Sequence, residues 1–179
     1  MKPILLQRHP AFPSSAATVW IRIGRHEDSL LATYRIPGDT RALAFPEKCR
    51  PSFRDNLWEH TCFELFVRLP SGSDYLEFNF SPSEEWAVYH FDEYREGMRR
   101  APVGIPKIVA TRWKTRFELS VRCDLPADWA RRRLQVNLSA ILEAKDGSRS
   151  YWALAHPPGE PDFHHPDCFL LDLPPPAQA

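Results

Sequence analysis

At 179 residues, with 43% hydrophobic and 12% aromatic side chains, the chain can bury one sizeable core but is short for two domains. This composition excludes a disordered chain. Lysine plus arginine equals aspartate plus glutamate at 23 each, so charge gives no reason to expect nucleic acid or an anionic membrane surface as partner.

The opening Met1–Pro10 holds an apolar stretch too short for the core of a signal peptide, and no later run approaches a membrane span. A cytoplasmic protein is the expectation. Period-two alternation then recurs along the chain. It marks Thr18–Ile23 and Leu30–Ile36, the latter ending at the turn signal Pro37-Gly38-Asp39. Cys62–Leu69 sets Phe63, Leu65 and Val67 against Cys62, Glu64 and Phe66. Tyr75–Phe80 sets Leu76, Phe78 and Phe80 against Tyr75, Glu77 and Asn79. Further strands are expected at Glu85–Phe91, Lys107–Trp113, Thr115–Cys123, Leu134–Leu142, Tyr151–His156 and Phe169–Leu173. Between them, Pro126–Arg132 reads as one or two helical turns and the polar Phe91–Arg99 as a loop or a single turn. Short strands punctuated by turns predict an all-β fold, an antiparallel β-sandwich over residues 1–173, with 174–179 as a flexible tail.

Cys49, Cys62, Cys123 and Cys168 show no C-x-x-C spacing and are expected as free thiols. No phosphate loop, dinucleotide fingerprint or G-x-S-x-G elbow is present. What remains is a polar row on one side of several strands: Glu64, Glu77, Asn79, Glu118, Gln135 and Asn137. With Trp58 and Trp152 nearby, such a row suits a sugar, whose hydroxyls need donors and acceptors and whose C–H faces stack on indole. Alternation also predicts a polar row wherever a sheet faces water, so a plain solvated face competes with the ligand reading. Glu64 and Glu77 are the pair to consider for carboxylate hydrolase chemistry, since hairpin neighbours come close. If Glu64 is instead buried against Arg116 or Arg122, it is scaffold. Near the end of the chain, His156, Asp162, His164 and Asp167 are metal-ligand types, but without recognised ligand spacing. Capping of proline-rich turns explains them equally well.

Four segments carry a resemblance when taken in order: L-W-E-H-T-C-F-E-L-F-V, Y-L-E-F-N-F-S-P-S-E-E-W-A-V-Y, L-Q-V-N-L-S-A-I-L-E, and Y-W-A-L with F-H-H-P-D-C-F. Over Pro37–Leu173 the chain resembles the DOMON-like superfamily, and within it the carbohydrate-binding modules of family nine, in a stand-alone bacterial form. The resemblance implies a jelly-roll β-sandwich that binds a small ligand, most often a sugar, without catalysis. It further implies that Trp58 and Glu64, six residues apart, form a sugar-binding pair. Trp152 would be the second stacking aromatic, and Asn79 and Asn137 the amide partners. A haem-binding branch implies Met98 with His156 or His164 as axial ligands. No cofactor is expected from the residues themselves; haem and calcium enter only through the resemblance. A redox module, an enzyme, and a structural or protein-interaction domain are the readings from other classes.

Overall fold

The structure, a computed structural model, describes residues 2–14, 16 and 18–176. The alternating segments form strands β1 (Ile4–Arg8), β2 (Val19–His26), β3 (Ser29–Pro37), β4 (Cys62–Arg68), β5 (Tyr75–Phe80), β6 (Trp86–Phe91), β7 (Arg99–Arg100), β8 (Lys107–Trp113), β9 (Arg116–Asp124), β10 (Leu134–Glu143), β11 (Arg149–Ala153) and β12 (Leu171–Leu173). Two 3-10 turns, Leu57–Glu59 and Pro166–Cys168, are the only helical elements among the described residues. No helix there is long and apolar enough to cross a membrane.

The strands pair antiparallel in the order β7-β6-β5-β4-β10-β11-β1-β2-β3-β9-β8, with β12 added beside β10. β1 makes the corner. Its Ile4–Leu6 pair with β2, while Gln7 and Arg8 pair with β11. The ribbon therefore folds into two facing layers, β1-β2-β3-β9-β8 and β7-β6-β5-β4-β10-β11, which is the expected β-sandwich. Between the layers lie the alternate apolar residues of each strand, among them Ile21, Tyr34, Leu119, Phe63, Phe78 and Leu138. Phe63 stacks on Phe117 across the interior at 5.7 Å between ring centroids.

The two layers differ on their outer faces. β3 and β9 alternate buried and less buried residues, as a sheet with one wet face should. β4 and β5 are buried on both sides along nearly their whole length. Over them, Cys62, Phe66, Tyr75, Tyr89, Phe91 and Ile141 join Leu57, Phe163 and Phe169 in a second apolar cluster. Long loops cover that cluster, the usual setting for a satellite core.

Two strands were not expected. β1 is five residues shared between two partners, too short in each ladder for alternation to show, and β7 has two residues. Pro126–Arg132 forms linked turns, with the Trp129 and Ala130 amides donating to the Pro126 carbonyl at 2.9 Å each. All four cysteines are free, three of them buried and Cys49 exposed. Within the expected tail, the Pro174 carbonyl accepts from Arg25 Nη1 at 3.0 Å; residues 177–179 lie outside the described residues.

Candidate functional site

The outer face of the second layer carries the polar row. Strand register places Glu64 of β4 between Asn79 of β5 and Ser139 of β10. Glu77 sits between Phe66 of β4 and Tyr89 of β6. Glu64 and Glu77 are thus diagonal neighbours on adjacent strands, projecting from the same face. They line a cavity of about 360 Å³ with Phe66, Ile141 and Tyr151 from the sheet.

Three connections wall this cavity. The first is the turn Leu57–Glu59, entered through Asn56 in the left-handed conformation that asparagine tolerates (φ 61°). It brings Trp58 edge-on to Tyr89 at 6.0 Å. The second is the β6–β7 loop, which supplies Arg95 and Met98. The third is the long β11–β12 loop, which supplies Pro161, Phe163 and His164. Its position follows from the sheet. β11 pairs with residues 139–143 of β10 and β12 with residues 134–136, so the chain between them must leave the layer and return. At the gap, Asn137 Nδ2 donates to the Phe163 carbonyl at 2.8 Å and fastens the loop. Asp162 ties the second and third walls together. It accepts from Arg95 Nη2 at 2.8 Å and from the Tyr94 hydroxyl.

The polar groups on the floor are nearly dry. Glu64 is 3% exposed and Glu77 5%. Glu64 Oε2 accepts from Ser139 Oγ at 2.9 Å, while Oε1 accepts from no described residue. Glu77 Oε1 accepts from Asn79 Nδ2 at 2.7 Å, and its Oε2 lies 3.7 Å from His164 Nε2. Burial raises both carboxyls above the ordinary value of 4.5, and the charge of Glu77 raises Glu64 further. Hydrogen bonds from Ser139 and Asn79, and the more distant Arg95, pull weakly the other way.

His164 is held down to about 4, first by burial and then by Arg95, so it is neutral at pH 7 and its approach to Glu77 is not an ion pair. The Tyr75 hydroxyl accepts from the Arg95 amide at 3.1 Å and shares a hydrogen bond with His164 Nδ1 at 2.8 Å, while His164 Nε2 faces Glu77.

Trp58, Glu64 and Glu77 come together at the cavity, as placed by sequence. Five expected residues lie elsewhere or act otherwise. Trp152 is 3% exposed and points into the sandwich interior, its Nε1 donating to Ser150 Oγ at 3.1 Å. The preceding residue, Tyr151, faces the cavity, because successive strand residues point to opposite sides. Asn79 and Asn137 are fully buried and spend their amides on Glu77 and on Phe163, so they position other groups. Glu118 belongs to the opposite layer, paired with Arg35 and Arg116. Gln135 shares the cavity's face but accepts from Arg68 Nε at 3.0 Å, away from the lining residues.

Neither Arg116 nor Arg122 reaches Glu64; both lie on β9 in the other layer, with Glu118 and Ser29 as partners. The four metal-ligand types do not converge. His156 bonds the Gln7 carbonyl, Asp162 holds Arg95, His164 holds Tyr75, and Asp167 is exposed. Among the described residues no three His, Cys, Asp or Glu side chains gather as a metal site. Nor do the residues suit haem. Met98 is half exposed at the rim, and His164 is engaged at Nδ1 by the Tyr75 hydroxyl and turns its Nε2 towards Glu77.

Arg95, Tyr151 and Phe163 were not anticipated, and His164 was expected only as a metal-ligand type. Three of these four come from loops, and Tyr151 from a strand's unexpected face. Tyr151 alone had a signal, the alternation that also sends Trp152 inward.

Comparison with known proteins places the fold. No protein-family model matches the chain, and no curated protein matches it. Among solved structures, a Bacteroides uniformis protein proposed to bind carbohydrate superposes with a TM-score of 0.63 at 17% identity, covering 94% of this chain and 84% of that one. A family 9 carbohydrate-binding module from Caldicellulosiruptor kristjanssonii in complex with glucose gives 0.50 at 7% identity over 86% of this chain and 76% of that one. The same module with cellotriose gives 0.51 at 7% identity over 86% and 74%. At these identities the likeness is one of fold.

Proposed function

We propose that the protein is a non-catalytic sugar-binding module of the DOMON-like, family-nine type, with its site in the cavity over Glu64 and Glu77. The observation that carries this reading is the pairing of dry, under-used polar atoms with aromatic walls. Glu64 Oε1 and Glu77 Oε2 line a space that also touches Trp58, Tyr151, Phe91 and Phe163. A carboxyl oxygen with spare accepting capacity at the mouth of a nearly buried side chain can take a ligand hydroxyl. Rings on the walls take the C–H faces of the same ligand.

Sugar complexes of structures that share this fold support the reading.

Calorimetric titration against a panel of mono- and disaccharides tests the proposal. Saturable heat from at least one sugar, with affinity weakened about tenfold in Trp58→Ala, is the expected result. Absence of heat from every sugar at millimolar concentration contradicts it.

A further inference from the structure

Several half-buried or exposed acidic side chains elsewhere in the molecule have cations. Glu118 has Arg35 and Arg116, Glu84 has Lys48, Glu85 has Arg54, and Asp172 has Arg133. Glu64 and Glu77 are the only Asp or Glu buried below a tenth exposure among the described residues, and they have none. The groups facing them come from every neighbouring element. Cys62 on β4, Tyr75 and Asn79 on β5, Tyr89 on β6, Ser139 on β10 and Tyr151 on β11 are all uncharged at neutral pH. From the loops come Trp58, Met98 and neutral His164. Arg95 is the one cation at the cavity among the described residues, and its guanidinium is committed to Asp162 at 2.8 Å.

The cavity thus holds two carboxyls, hydrogen-bond acceptors and aromatic faces, and its one cation, Arg95, is bound to Asp162 and acts on the pair only from a distance. A neutral sugar would satisfy the acceptors but bring no counter-charge to the ionised carboxylate. An ammonium group supplies three donors and the missing charge at one point, and aromatic walls favour it further.

We infer that the cavity selects an amino sugar, with its protonated amine between Glu64 Oε1 and Glu77 Oε2. The inference rests on the sugar-binding reading above. Binding brings the cation to carboxyls that are partly protonated beforehand, so it drives a proton from the pair into the buffer while the ligand keeps its own.

The test is calorimetric titration of the unmodified protein at neutral pH with glucosamine, glucose and N-acetylglucosamine, repeated in two buffers of different ionisation enthalpy. Acetylation removes the charge while keeping the ring, so this comparison needs no variant. Glucosamine is expected to bind at least about tenfold more tightly than either neutral sugar, with heat that depends on the buffer. In the doubly substituted Glu64→Gln, Glu77→Gln protein the preference should fall to near unity. Glucose or N-acetylglucosamine binding as well as glucosamine overturns the inference and leaves the sugar-binding reading standing. No binding by any of the three, with none across the wider panel, overturns both.

Discussion

The Tyr34 hydroxyl donates to the backbone carbonyl of Glu64 at 2.5 Å, through the interior of the sandwich. The residue whose carboxyl floors the cavity on the outside of one layer is therefore gripped from the inside by the other layer. Tyr34 is fully buried, so its hydroxyl has no water to fall back on. Tyr34→Phe should cost about 1 kcal/mol of stability and lower the melting temperature by about 2–4 °C, read by thermal denaturation. An unchanged melting temperature would show that the tie contributes nothing.

Trp58 and Trp152 should separate affinity from stability. Trp58 is a half-buried wall residue, and Trp58→Ala should weaken sugar binding about tenfold with a minor change in stability. Trp152→Ala empties part of the interior and removes a hydrogen bond to Ser150, a loss of about 3–5 kcal/mol. The milder Trp152→Phe keeps the fold testable and should leave affinity unchanged. Paired denaturation and titration of the two variants check the assignment.

Stability should fall as pH rises above neutrality. A carboxyl whose folded value lies above 4.5 binds more protons folded than unfolded, so its contribution is full below 4.5 and is lost as pH climbs through the raised range. His164 works oppositely, losing stability as pH falls from its ordinary 6.5 towards about 4. The two effects offset each other between 4.5 and 6.5, and above that range only the carboxyls act. Urea denaturation across pH should show a decline with a ceiling slope of about 1.4 kcal/mol per unit per group. Glu64→Gln should flatten it; an identical slope in the variant would refute the assignment.

Asp162 should act through loop order. It accepts from Arg95, from Tyr94 and from the His164 amide at 3.1 Å, joining two walls of the cavity. Arg95 is half exposed, so the ion pair is worth about 1 kcal/mol or less. Asp162→Asn should raise hydrogen exchange across the β11–β12 loop and weaken sugar binding several-fold while global stability barely moves. Unchanged exchange in that loop would contradict this role.

Alternation made the strands legible, because a layered sheet repeats one contact pattern every second residue. It also put Glu64 and Glu77 on one face, since parity along β4 and β5 is unambiguous. It did not reveal that this face is covered. A polar residue at an outward position reads the same under water as under a loop, and the loop that buries Glu77 lies some eighty residues downstream. The same limit explains Trp152 and Tyr151. Choosing between adjacent aromatics requires the register of β11 against β10, which Ala153 opposite Ser139 sets and which no local pattern carries. Arg95 was invisible for another reason: its place depends on a left-handed backbone (φ 59°) and on a partner in a different loop.

The most direct measurement is a two-dimensional amide and indole NMR titration with glucose and glucosamine. Saturable shifts should centre on the Trp58 indole and on the backbone around Ile141, Phe163 and His164. Shifts confined to the outer face of β2, β3 and β9, or none at saturating sugar, would contradict a binding site over Glu64 and Glu77.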